Sequence, residues 1–223
     1  MTATDALGWI ASAVILARLL PQPVRLVRTG VAAGVSPLAA LNAVITTIGW
    51  AVYGLSADLP IVWIVSVVAL VPSLWTVVLL VPRTTRRDVL SASLWAATLL
   101  AAGAIGIGGA AMSLGVVVSQ GPAVVRAVRE SDLSGVAPAT WWLSLLDAVT
   151  WGAYGIAVAD GALMGYGVVL ATASVIVLAR IAWTRGHGRT EAHPDPTAHQ
   201  PLAQGAPAFR SPAAHQGASV TGQ

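Results

Sequence analysis

Asp147 is the residue of this chain whose chemistry most needs an explanation, because it is an acid in the middle of an apolar segment. An ionisable group inside a membrane is costly unless it is solvated, paired or protonated, and it usually has a functional role. Its expected partner is Arg18, a cation within the first apolar segment. We therefore expect the two charges to approach each other across a central cavity.

Two tryptophans, Trp50 and Trp151, lie well inside apolar segments. A flat indole face can pack on the C–H face of a sugar ring, and the indole N–H can bond to a hydroxyl. Thr46 and Asp147 precede the two tryptophans by one helical turn and so share their faces. The sequence predicts that these four residues line a solute pocket. Anchoring at the membrane interface is the alternative role, which we prefer for tryptophans near the segment ends: Trp9, Trp141, Trp142 and Trp183.

The composition indicates a membrane protein that lacks the side chains of a typical catalytic site. Hydrophobic residues make up 56% of the chain, charged residues 9%, and the mean hydropathy is +0.77, which leaves too little polar surface for a soluble globule. The chain has no cysteine and no lysine, which excludes disulfides, thiolate metal sites and a lysine Schiff base. The four histidines all lie near the C-terminus with irregular spacing. We therefore expect no enzyme activity, cofactor, metal or nucleic-acid partner.

Apolar runs of roughly 20 residues, the length that spans a bilayer, define seven predicted transmembrane helices. They are expected at 6–27, 36–57, 59–82, 88–104, 110–128, 137–158 and 161–183. The run GAIGIGGA at 103–110 supplies the turn between the fourth and the fifth helix. The fold class predicted from the sequence is thus an all-α membrane protein.

Arginines set the predicted orientation. They follow the odd-numbered helices, whereas the turns after the even-numbered helices contain none. Because cytoplasmic loops collect basic residues, the N-terminus is predicted to lie outside and the C-terminus in the cytoplasm. The last segment, 186–223, is rich in Pro, Ala, Gly and Gln and has no apolar period, which predicts a disordered cytoplasmic tail.

The chain also contains an internal duplication. A shift of 101 residues aligns Pro21 with Pro122 and Pro37 with Pro138, and it aligns GWAVYGL (49–55) with TWGAYGI (150–156). Two three-helix units joined by one linking helix keep the same orientation, which predicts a 3+1+3 parallel repeat with a site at the repeat interface. The predicted divisions are a first repeat, a basic loop with the linking helix, a second repeat and the tail, at 6–82, 83–109, 110–185 and 186–223.

Several of these residues together resemble the PQ-loop superfamily, and the 3+1+3 layout resembles its SWEET sugar-transporter branch. The resemblance covers 6–183 and is carried by Pro21 and Gln22, by the basic loop after them, by GVSP (34–37) and by the Trp-x-x-Tyr-Gly motif that starts at Trp50. It implies facilitated, alternating-access passage of mono- or disaccharides. It also implies hinge roles for four prolines, namely Pro21, Pro37, Pro122 and Pro138.

The prolines admit two interpretations. A proline inside a helix removes a hydrogen bond, which makes Pro21 and Pro122 plausible hinges. A proline in the first turn simply begins a helix, and this applies to Pro37 and Pro138, with Ser36 available as a cap for the first of them.

The pocket departs from the sugar-transporter pattern. That branch carries an asparagine on the third and seventh helices, where this chain has Val65 or Ser66 and Tyr166 or Gly167. We take Ser66 as the candidate pocket residue on the third helix. Sugar transport in the plasma membrane is the favoured function. The alternatives are proton-coupled transport of a small zwitterion or cation that uses Asp147, and a non-transporting scaffold. The expected partners are a small solute and the lipid bilayer, and a homo-oligomer is compatible with the pattern.

Overall fold

The computed structural model describes residues 2–30, 32, 35–129, 133 and 136–190, with the side chains at 122, 123, 126 and 185–190 outside the description. Over these residues the protein is all-helical. The α-helices are α1 (Ala3–Leu19), α2 (Pro21–Thr29), α3 (Pro37–Ser56), α4 (Pro60–Leu80), α5 (Arg86–Ala104), α6 (Gly108–Arg129), α7 (Pro138–Ala157) and α8 (Gly161–Thr190), and a 3₁₀ turn (Val81–Arg83) follows α4.

Four helical stretches of the described chain are long and apolar enough to cross a membrane. They are Ala3–Thr29, which combines α1 and α2, then Pro37–Ser56, Pro60–Arg83 and Gly161–Thr184. Large apolar side chains on the outer faces are exposed, for example Val71 at 68% and Leu100 at 75%. Such exposure would be unfavourable in water. These features indicate a membrane protein.

Local sequence signals explain where several helices begin. Ser36 caps α3, because its Oγ accepts a hydrogen bond from the backbone N–H of Ala39 at 3.3 Å. Thr85 and Asp88 form reciprocal hydrogen bonds at the start of α5, which is the capping-box arrangement. Pro37 and Pro138 are the first residues of α3 and α7, a position where the missing N–H costs nothing.

The first predicted helix, 6–27, is divided in the structure into α1 and α2, with Leu20 between them. Pro21 has no N–H and cannot bond to the carbonyl of Ala17, so the hydrogen-bond ladder is interrupted there. In contrast, α6 continues through position 122 without a break. The side chain of Pro122 lies outside the described residues. At the other end, α8 extends to Thr190, beyond the predicted 183, and the tail prediction for 191–223 falls outside the described chain.

The two copies of the repeat share one turn geometry. Asp58 (φ 53°) and Ala159 (φ 55°) are the two described non-glycine residues with positive φ, and they are equivalent under the repeat. The next backbone N–H donates to the carbonyl of Gly54 in one copy and of Gly155 in the other, both at 2.8 Å. A Cβ on either glycine would lie 2.7 Å from a backbone nitrogen of the following helix. Glycine is therefore required where the two helices approach.

The helices pack with the same pattern in both copies. Within the copies, α1 and α3 contact α4, while α6 and α7 contact α8. Between the copies, α1 packs against α7 and α3 packs against α6, and α5 lies against α3 and α6. The largest buried apolar cluster lies at this interface and includes Val65, Val116, Trp151 and Leu170. The centre of the molecule is thus formed jointly by the two copies.

Candidate functional site

A cavity of about 50 Å³ lies between the two copies. Five helices contribute to its wall: α1 by Ile15, α3 by Thr47 and Trp50, α4 by Val62, Val65, Ser66 and Ala69, α7 by Trp151, and α8 by Leu163 and Tyr166. None of these lining residues of the described chain is charged. The space is sufficient for a few water molecules.

Trp50 and Trp151, which are equivalent under the repeat, both line this cavity. Each packs edge-on against the tyrosine three residues later, with ring centroids 5.7 Å apart in both copies. Trp151 is only 4% exposed, and its Nε1 has no hydrogen-bond partner among the described residues. A buried donor without an acceptor is unfavourable.

Asp147 and Arg18 lie together, as the sequence suggested. The Arg18 Nη2 to Asp147 Oδ2 distance is 3.3 Å; the Asp147 side chain is fully buried and that of Arg18 is 18% exposed. Tyr166 joins the pair, because its hydroxyl donates to Asp147 Oδ2 at 2.6 Å and accepts from Arg18 Nη2 at 3.4 Å. This triad connects α1 of the first copy with α7 and α8 of the second.

Two buried polar atoms of the triad lack hydrogen-bond partners. Asp147 Oδ1 and Arg18 Nε are buried and have no hydrogen-bond partner in the described part of the chain. A buried ion pair is stable only when additional hydrogen bonds serve its remaining atoms. Of the three side chains, Tyr166 alone belongs to the cavity wall. The phenol therefore stands between the charges and the cavity.

Thr46 differs from the sequence-based expectation. Its hydroxyl accepts a hydrogen bond from the indole N–H of Trp95 on α5 at 3.1 Å, while Thr47 lines the cavity. Residues 46 and 47 precede Trp50 by four and three positions and lie on opposite flanks of its face. The helix is rotated so that the Thr46 flank packs on α5. The sequence thus predicted which residues share the face of α3 with Trp50, but not how far α3 is rotated about its own axis.

Ser66 lies in the cavity wall, as predicted for the candidate pocket residue on α4. It is 7% exposed, and its hydroxyl donates to the carbonyl of Val62 at 2.7 Å. The hydroxyl of Thr47 likewise donates to the carbonyl of Ala43 at 2.7 Å. Both hydroxyl hydrogens are thus engaged within their own helices, and each oxygen remains able to accept a hydrogen bond.

A second contact between the copies was not anticipated from the sequence. The Tyr53 hydroxyl donates to Asp160 Oδ2 at 2.7 Å, and Asp160 Oδ1 accepts from the backbone N–H of Leu163 at 2.8 Å. This joins the C-terminal end of α3 to the start of α8. The sequence did contain a sign of this contact, because Asp160 is an acid at the position where the first copy has Leu59.

The proposed hinge residues occupy different situations. Pro21 marks the break between α1 and α2, and Gln22 beside it is exposed. Pro37 and Pro138 begin their helices, so neither interrupts a hydrogen-bond ladder. Their positions agree with the helix-start interpretation and do not test motion.

The chain matches no protein-family model and no curated protein. Within the described residues, no group of three or more His, Cys, Asp or Glu side chains could hold a metal ion. The cavity, the triad and the repeated architecture are therefore the observations on which a function can be based.

Proposed function

We propose that this protein is a transporter, and not an enzyme, that moves a small uncharged polyhydroxy solute, in the simplest case a mono- or disaccharide, across the plasma membrane. The observation that carries the proposal is the cavity between the two copies, whose wall is uncharged and contains one tryptophan from each copy. The resemblance of the sequence to the SWEET branch of the PQ-loop superfamily supports the same conclusion.

The cavity wall has the chemistry to hold a sugar. Indole faces accept the C–H face of a pyranose, and Trp50 and Trp151 supply one indole from each copy to the wall. The oxygens of Ser66 and Thr47 can accept hydrogen bonds from sugar hydroxyls. A few convergent polar groups in an apolar wall are typical of small-molecule sites.

Alternating access requires that the contacts on the two sides of the cavity open in turn. The hydrogen bond between Tyr53 and Asp160 joins the copies at one end, and the triad joins them at the centre. Leu20 keeps helical backbone angles, but Pro21 cannot donate to the carbonyl of Ala17, and this missing hydrogen bond provides a point about which α2 can move relative to α1. The cavity has room for only a few water molecules, so it must widen to accept a hexose.

In this proposal the membrane topology is 3+1+3. The unit α1–α2, with α3 and α4, forms the first repeat; α5 links it to the repeat formed by α6, α7 and α8. All seven units cross the bilayer, with the N-terminus outside and the arginine-rich ends in the cytoplasm.

A proton-coupled carrier of a small zwitterion or cation is the second candidate. It is favoured by one observation, the full burial of Asp147 with Oδ1 unpartnered. Against it, the carboxylate already has Arg18 and Tyr166 as partners, and no charged group of the described chain lines the cavity. The geometry therefore favours the neutral solute.

Uptake into proteoliposomes distinguishes these candidates. Labelled sugars and amino acids are offered with and without an inward-acid pH gradient, to the wild type, to Asp147→Asn and to the matched control Asp58→Asn, which neutralises an exposed acid in a turn. Sugar flux that is independent of the gradient is the expected result. Flux that follows the proton gradient and is lost only in Asp147→Asn would establish the second candidate. No flux of any solute would favour the scaffold.

A further inference from the structure

We propose that Tyr166 is the residue that determines the size of the transported solute. This inference rests on the proposed function. Tyr166 is 8% exposed and forms part of the cavity wall. Its ring lies edge-on to Trp50, with centroids 5.6 Å apart and an interplanar angle of 86°.

Tyr166 is held at both ends. Its hydroxyl donates to Asp147 at 2.6 Å and accepts from Arg18 at 3.4 Å, while its ring contacts Trp50. The ring cannot swing aside without breaking a hydrogen bond to a buried carboxylate, and such bonds are among the strongest in proteins. The phenol therefore forms a fixed part of the wall rather than a movable flap.

The repeat shows how much space the phenol takes. Val65 stands at the equivalent position of the first copy and also lines the cavity. One side of the cavity is thus bounded by a small aliphatic side chain and the other by a large aromatic one. Beyond the phenol lies the ion pair of Arg18 and Asp147, which the ring separates from the solute.

Replacing Tyr166 by a smaller side chain should extend the cavity towards that ion pair. Larger solutes should then fit, because the limit on length is the ring itself. Removing only the hydroxyl, as in Tyr166→Phe, keeps the volume of the ring and its edge-on contact with Trp50 at a position that is 8% exposed, and should leave the size order of the solutes unchanged. A merely structural role for Tyr166 would lower the flux of every solute by a similar factor and would not alter their order.

The test uses the full-length protein in proteoliposomes and a graded series of glycerol, erythritol, xylose, glucose and sucrose. Wild type is compared with Tyr166→Ala, Tyr166→Leu and Tyr166→Phe, and with Val168→Ala, a control at a position on the same helix that is 67% exposed. We expect Tyr166→Ala to raise the flux of the first excluded solute relative to glycerol by about tenfold or more, the range in which a closed pocket discriminates a single methylene. Tyr166→Phe and Val168→Ala should keep the wild-type limit.

Each outcome decides between distinct conclusions. Size-exclusion profiles and unfolding temperatures establish that each variant is folded, and Tyr166→Leu replaces Tyr166→Ala if the latter is not. If the wild type transports solutes and the size limit is unchanged in the folded Tyr166→Ala or Tyr166→Leu variant, the inference is overturned while the proposed function stands. A limit that moves equally in Tyr166→Phe would also overturn it, since the ring would then not be the determinant. Wild type that transports none of the series would overturn the proposed function, and the inference with it.

Discussion

Neutralising Asp147 alone should destabilise the protein more than neutralising Asp147 and Arg18 together. Asp147→Asn leaves the guanidinium of Arg18, whose side chain is only 18% exposed, without an anionic partner, because the phenol of Tyr166 at 3.4 Å and the new amide are both neutral. Arg18→Gln leaves a carboxylate that is fully buried. The double variant leaves neither charge, so the desolvation penalty that each single change exposes is absent.

The magnitude follows from the geometry. Two unit charges 3.3 Å apart attract by on the order of 5 kcal/mol at an effective dielectric constant of about 20. Removing one member of a buried pair typically costs about 3–5 kcal/mol, whereas replacing both is often close to neutral. For a chain of this length, 1 kcal/mol corresponds to roughly 2–4 °C in unfolding temperature. Each single variant should therefore lose roughly 6–20 °C, and the double variant clearly less.

The assay is thermal unfolding of wild type, both single variants and the double variant in the same detergent. Arg25→Gln and Asp58→Asn are the matched controls, because both side chains are exposed. Exposed substitutions of this kind usually change stability by less than about 0.5 kcal/mol. If the loss in the double variant equals the sum of the two single losses, the residues are independent and the pairing argument is refuted.

Three further predictions concern the packing, the second contact and the topology. Gly155→Ala should lower the unfolding temperature, because its Cβ would lie 2.7 Å from atoms of α8 and overpacking costs about 1–3 kcal/mol. The control Gly103→Ala should leave the unfolding temperature unchanged, because nothing lies within 4 Å of its Cβ. Equal effects of the two changes would contradict the close approach. Tyr53→Phe removes the donor to Asp160, a bond worth about 1.5–3 kcal/mol. In a Ser66→Cys background, which carries the chain's single cysteine, this change should increase the rate of labelling by an impermeant maleimide added outside about tenfold. An unchanged rate would argue against a closure at that end. A C-terminal reporter that matures only in the cytoplasm should be active, and an inactive reporter on a folded protein would remove one span from the topology.

The sequence by itself was sufficient for the all-helical membrane class and, apart from the division before Pro21 and the longer α8, for the positions of the helices. Hydropathy averaged over about 20 residues depends on composition and not on packing, and the repeat is visible because Trp50 and Trp151 keep the same spacing from their prolines. The pairing of Arg18 with Asp147 could also be foreseen, because an intramembrane charge needs a partner and the choice was small.

Only the tertiary structure decided which side chains share the cavity. Thr46 and Thr47 are adjacent in sequence, yet one bonds to Trp95 and the other faces the cavity. Tyr166 joins the charge pair although it lies 148 positions from Arg18. Such contacts depend on how far each helix is rotated about its own axis, and hydropathy along a helix that is apolar on every side carries no information about that rotation. Packing of each helix against its neighbours sets it instead.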